Sequence, residues 1–145
     1  MSENPTTESK VSMDWLEKDV FVGTDDAGHS IVFDSALSGS PARGFGPMKA
    51  LLAALGACSG MDVAAILGKR KQKVTSLKIE VVGKRPQYGH PKPFTEVALR
   101  FVVAGDKLDE KYVKEAVGDS VEKYCSVAAT IGQDKVSYSY KIVQN

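Results

Sequence analysis

The chain has 145 residues, 43% hydrophobic and 26% charged, with a formal net charge of +1. That length suits one domain, the composition is that of an ordinary globular protein, and the charge gives no electrostatic case for nucleic acid or acidic membranes as partners. No apolar stretch near the N-terminus resembles a secretory signal, so a cytoplasmic chain is expected, in which Cys58 and Cys125 are redox or free thiols rather than a structural bridge.

Met1 to Ser9 is polar and reads as a disordered lead, with one domain over residues 10–145. From Lys10 the chain alternates apolar and polar at period two until Leu16. Val20–Gly23 is a second strand, Thr24–Gly28 carries turn chemistry, and Ile31–Asp34 completes an antiparallel meander. His29 is read as a turn residue, since histidine ligands come in clusters and His90 is the only other histidine. Ser35–Phe45 is a loop that includes Arg43.

Gly46 to Leu67 is predicted to be a helix. Pro47 suits a first turn, while Gly68 and the basic Lys69, Arg70 and Lys71 favour a stop. The helix is apolar almost all round, which marks a buried element. The run from Ala50 to Met61 is free of charge but only twelve residues long, short of the roughly 20 needed to span a bilayer. Ala50, Ala53, Ala54, Ala57, Gly60 and Ala64 form a small-residue stripe that permits close approach of another backbone. Gly56 and Gly60 read as chosen for space, because glycine costs about 1 kcal/mol against alanine inside a helix.

Val74–Val82 and Phe94–Val103 are the next strands, separated by a proline-rich loop. Phe94 is out of phase with Val97, Leu99, Phe101 and Val103. A second helix is expected from Leu108-Asp109 to Gly132. Its stripe is Val113, Val117, Val121, Tyr124 and Ala128, with Cys125 at the edge. Val136–Val143 is the last strand. The order β-β-β-α-β-β-α-β with two buried helices indicates an α+β fold.

No phosphate loop, HExxH, CxxC or GxSxG occurs, and two cysteines with two widely spaced histidines make a weak case for zinc. Cys58 and Cys125 remain. As buried thiols they fill a core; as thiols that meet, they support reversible dithiol–disulfide chemistry, in which a sulfenic acid on one is trapped by the other.

Two motifs bear on this choice. Pro47-Met48, then Leu51 through Cys58 and Met61-Asp62-Val63, together with Glu122-Lys123-Tyr124-Cys125-Ser126-Val127, closely resemble the OsmC/Ohr family and its YhfA-like subgroup. The resemblance runs from Val11 to Val143. It implies an OsmC-like fold in an intertwined homodimer, with sheets from both chains around two central helices. It further implies a thiol peroxidase for organic hydroperoxides, needing no cofactor or metal and reduced by a dithiol such as lipoyl. By position, Cys58 matches the peroxide-attacking cysteine and Cys125 the resolving one. The family glutamate lies nine or ten residues before the first cysteine, where this chain has Lys49 and Met48. No arginine precedes Arg43, so Arg43 or Lys49 is left to support the thiolate. The alternative is a redox-silent dimer of the same fold that binds an apolar ligand or partner.

Overall fold

The computed structural model describes residues 4–145. Residues 1–3 of the expected disordered lead lie outside the described residues, and 4–9 are exposed and belong to no helix or strand. The chain divides into two compact units, residues 1–50 and 51–145.

The first unit is built on the expected meander. Strands β1 (Val11–Glu17), β2 (Val20–Asp25) and β3 (Ser30–Phe33) pair in that order, both pairs antiparallel. The period-two pattern fails at Leu16 because a bulge interrupts the β1–β2 register between Trp15 and Glu17. The β2–β3 turn is closed by Asp25, whose Oδ1 accepts from the amides of Ala27 (2.9 Å) and His29 (2.8 Å). His29 stays at that turn, exposed, with Nδ1 3.0 Å from Asp25 Oδ2. Val11, Trp15, Leu16 and Ile31 remain exposed on this sheet.

The long helix α1 (Pro47–Lys69) begins in the first unit and runs on through the second. Its end is a Schellman turn: the Gln72 amide donates to Leu67 O and the Lys71 amide to Gly68 O, both at 3.0 Å. The left-handed position falls on Lys71 (φ 55°), so Gly68 lies inside the helix rather than stopping it.

The second unit holds β4 (Lys73–Lys84), β5 (Glu96–Asp106), α2 (Glu110–Asp119), α3 (Ser126–Ile131) and β6 (Val136–Gln144). The sheet order is β4-β5-β6, with β4 antiparallel and β6 parallel to β5. A parallel pair needs a long crossover, and α2 and α3 lie in it. In the central strand Val97, Leu99, Phe101 and Val103 are all buried, as their alternation predicts. The phase change between Val74 and Leu77 on β4 is a register shift between Val74 and Ser76. This is an α+β architecture.

Gly56 and Gly60 place α1 against β4. A Cβ on Gly56 would stand 3.0 Å from Val81 Cγ2, and one on Gly60 2.7 Å from Ile79 Cδ1. Leu55, Ser59, Val63 and Leu67 complete the buried stripe. The opposite flank, with Ala54, Ala57 and Ala64, is exposed, and Met61 on it is 72% exposed. A single chain therefore buries one face of this helix, not its whole circumference. At 23 residues α1 is also long and apolar enough to cross a bilayer by length and composition. The charge-free run understated this, because a spanning window tolerates an isolated charge such as Asp62.

The second helix departs from expectation. Asp109 caps it, accepting from the Lys111 amide at 2.9 Å. It does not continue to Gly132, however. A π-helical turn, Ser120–Tyr124, follows α2, then Cys125 adopts an extended conformation (φ −71°, ψ 104°) before α3 starts. The wider π turn lets the Cys125 amide reach Ser120 O at 2.7 Å.

Gly105 tests the sheet. A Cβ there would collide with the Lys73 carbonyl oxygen and crowd Leu108, whereas one on Gly68 meets open space. Gly105→Ala is expected to destabilise by about 1–3 kcal/mol, and Gly68→Ala to stabilise by up to about 1 kcal/mol, both read by urea unfolding.

Candidate thiol site

Cys58 sits mid-way along α1 at the border between its buried and exposed flanks, and is half-buried. Asp62, four residues on, lies one turn away on the same flank. Ser59 between them is fully buried. The facing segment supplies Ser120, also fully buried, and Cys125, which is 1% exposed. The two sulfurs and a carboxylate oxygen of Asp62 all lie within 4.8 Å of one another. Both thiols are free.

Hydrogen bonds fix this cluster. Ser59 Oγ donates to Cys125 Sγ at 3.3 Å, and the Ala128 amide donates to the same sulfur at 3.3 Å. Ser120 Oγ lies 3.1 Å from Ser59 O and 3.0 Å from Asp62 Oδ2. Cys125 thus caps α3 with its side chain, a role usually taken by serine, threonine or an acid. The break in the second helix is what frees that sulfur to face α1.

The Cys58 thiol is subject to opposed influences. The Val127 backbone amide, the largest, favours the thiolate and the Ser126 amide adds to it. Burial, a hydrogen bond with Cys125 and the charge Cys125 acquires on ionising together outweigh them, and the thiol is raised above its ordinary range. An open cavity of about 680 Å³ lies beside Asp62, with Ile66, Lys69, Arg70 and Tyr124 among its walls.

Of the candidate residues, Cys58 and Cys125 are brought together. Arg43 is engaged within the first unit: Nη1 donates to Glu17 Oε1 at 2.9 Å and Nε to Asp34 Oδ2 at 3.5 Å. Its hydrogen bond to Glu17, reinforced by Asp34, holds the guanidinium above its ordinary pKa. Asp34 is buried and also accepts from the Arg43 backbone amide at 2.9 Å, so Arg43 closes its loop. Lys49 is exposed on the first turn of α1. Asp62, Ser126 and Val127 stand in the two sequence motifs without a site role, and Ser59 and Ser120 are absent from the candidate residues. Asp62 carried a signal, its four-residue spacing from Cys58; the serines carried none.

The family described as OsmC-like protein matches residues 39–141 of this chain. The chain belongs to the OsmC family. It is 37% identical over 130 residues to the YhfA protein of Escherichia coli K12, covering 89% of this chain and 94% of that one. A crystal structure of a hypothetical protein from Aquifex aeolicus superposes with a TM-score of 0.79 at 32% identity, covering 96% and 100% of the two chains. The same OsmC fold is seen in the organic hydroperoxide resistance protein OhrB of Bacillus subtilis, at TM-score 0.59 and 19% identity over 94% and 98%.

The two cysteines of this OsmC-family protein are coupled, which yields a pH prediction. Removing the second thiol in Cys125→Ala removes one raising influence and leaves the amides of Val127 and Ser126 in place. The midpoint of Cys58 alkylation by iodoacetamide, followed by mass spectrometry across pH, is expected to move to lower pH. An unmoved or higher midpoint would show that Cys125 does not hold the Cys58 thiol up.

Proposed function

We propose that the protein is a thiol peroxidase that reduces organic hydroperoxides through a two-cysteine cycle. The observation that carries this reading is the approach of a half-buried Cys58 sulfur and a buried Cys125 sulfur to within 4.8 Å. The Cys58 thiolate attacks the peroxide, the O–O bond breaks, and with one proton from solvent a sulfenic acid and an alcohol result. The Cys125 thiol then condenses with the sulfenic acid, forming the disulfide and releasing water. A dithiol reductant, of which lipoyl is the type drawn from the family, returns both thiols by exchange.

The asymmetry between the thiols gives the test. Cys125→Ser is expected to keep the first oxidation, accumulate a dimedone-reactive sulfenic acid on Cys58 and lose multiple turnover with cumene hydroperoxide. Cys58→Ser loses both. The redox-silent alternative is favoured by the raised Cys58 thiol and by Lys49 and Met48 standing where the family has its acid. It becomes the better account if stoichiometric peroxide modifies neither cysteine.

The working unit is read as a cytoplasmic homodimer, acting without nucleic acid or a membrane. Support for the dimer is the exposed alanine flank of α1 around Met61 and the exposed apolar side chains of the β1–β2–β3 sheet. Two free thiols suit a reducing compartment. For the membrane, α1 keeps Ser59 and Asp62 in hydrogen-bonded contact with Ser120, as a core helix does. Light scattering at micromolar concentration is expected to give twice the chain mass, and Met61→Glu to shift it toward the monomer. A monomeric wild type would remove the dimer.

A further inference from the structure

We propose that the reduced site binds zinc through Cys58, Asp62 and Cys125. Counting cysteines and histidines hid this set, because its third donor is a carboxylate. One donor atom from each residue lies within 4.8 Å of the other two. Cys58 and Asp62 form a chelating pair one turn apart on α1, and Cys125 closes the set from the opposite segment. Thiolates about 2.3 Å from a tetrahedral zinc lie roughly 3.8 Å apart, within side-chain adjustment of a cluster whose ligand atoms are no more than 4.8 Å apart. Two sulfurs select a soft or borderline ion such as zinc over magnesium or calcium, which take oxygen ligands.

The surroundings suit ligands held for a metal. Cys125 Sγ already accepts from Ser59 Oγ and the Ala128 amide, and Asp62 Oδ2 is within hydrogen-bond distance of the Ser120 hydroxyl. Such outer partners orient ligands and stabilise the charge on sulfur. Asp62 also borders the open cavity, so one of the three ligands is reached from solvent. Binding replaces the two thiol protons with one ion: two thiols and Zn²⁺ give the dithiolate complex and two protons. If the peroxidase reading holds, a hydroperoxide then releases the ion. The zinc dithiolate, one hydroperoxide and two protons give disulfide, alcohol, water and free Zn²⁺.

The test titrates ZnCl₂ into the reduced full-length protein by calorimetry in two buffers of different protonation enthalpy, with CoCl₂ as a spectroscopic probe. Expected are one ion per chain, proton release on binding, and a thiolate-to-cobalt charge-transfer band that weakens in Cys58→Ser and in Cys125→Ser. Asp62→Asn is expected to weaken binding at least about 10–100-fold, taking the effect of losing an outer partner as the floor. Alkylation mapping of the wild type, needing no variant, should show zinc protecting both cysteines. Absent saturable binding, affinity unchanged in Asp62→Asn, or protection of neither cysteine would overturn the site. Zinc that binds but stays bound after stoichiometric cumene hydroperoxide would strike the peroxidase reading and leave the zinc site standing.

Discussion

The hydrogen bonds between Ser59, Ser120, Asp62 and Cys125 join α1 to the break that follows α2, and the thiol pair depends on that junction. Ser120 is fully buried, and its hydroxyl reaches both the Ser59 carbonyl and the Asp62 carboxylate. Leaving a buried polar group unsatisfied costs about 1–3 kcal/mol, so each member constrains the others. The sulfur of Cys125 is held on one side by the Ser59 hydroxyl and on the other by the Ala128 amide. It is a positioned group with little freedom, whereas Cys58 is open to solvent on one flank.

This arrangement gives the two thiols different surroundings in the fold. Cys58 lies in an apolar run and Cys125 at the edge of an amphipathic stripe beside Glu122 and Lys123, and either would pass as core. Position separates them: one is a half-buried residue mid-helix, the other is in extended backbone where its sulfur serves as a cap. The raised Cys58 thiol reflects its burial first and then the neighbouring Cys125 sulfur. The backbone amides of Val127 and Ser126 oppose both without using a lysine or arginine side chain.

Much of this was legible in the sequence, and what was not has identifiable causes. The alternation at Val97, Leu99, Phe101 and Val103 gave the central strand correctly, because period two is imposed by the pleat itself. Gly56 and Gly60 signalled a close approach, though the partner is β4 and the alanines lie on the other flank. The helix through Cys125 departs from expectation because a π turn inserts a residue into the hydrogen-bond ladder, so that Tyr124 of the expected stripe is 60% exposed and Cys125 takes the buried position. Arg43 was legible as a lone loop cation, but its carboxylate partners, Glu17 and Asp34, are set by pairing distant in sequence.

The parallel pairing of β6 with β5 carries a consequence for how the molecule assembles. Val97 lies opposite Val136, so the crossover must be complete before this edge of the sheet exists. Cys125 lies within that crossover. Local contacts such as the Asp109 cap can form early, but the meeting of Cys58 and Cys125 is a long-range event, and topologies rich in such contacts fold slowly. During synthesis Cys58 leaves the ribosome well ahead of Cys125. The meeting of the two thiols is therefore a property of the finished fold alone; on the nascent chain Cys58 and Cys125 are separated by a strand pair and a helix that have yet to pack.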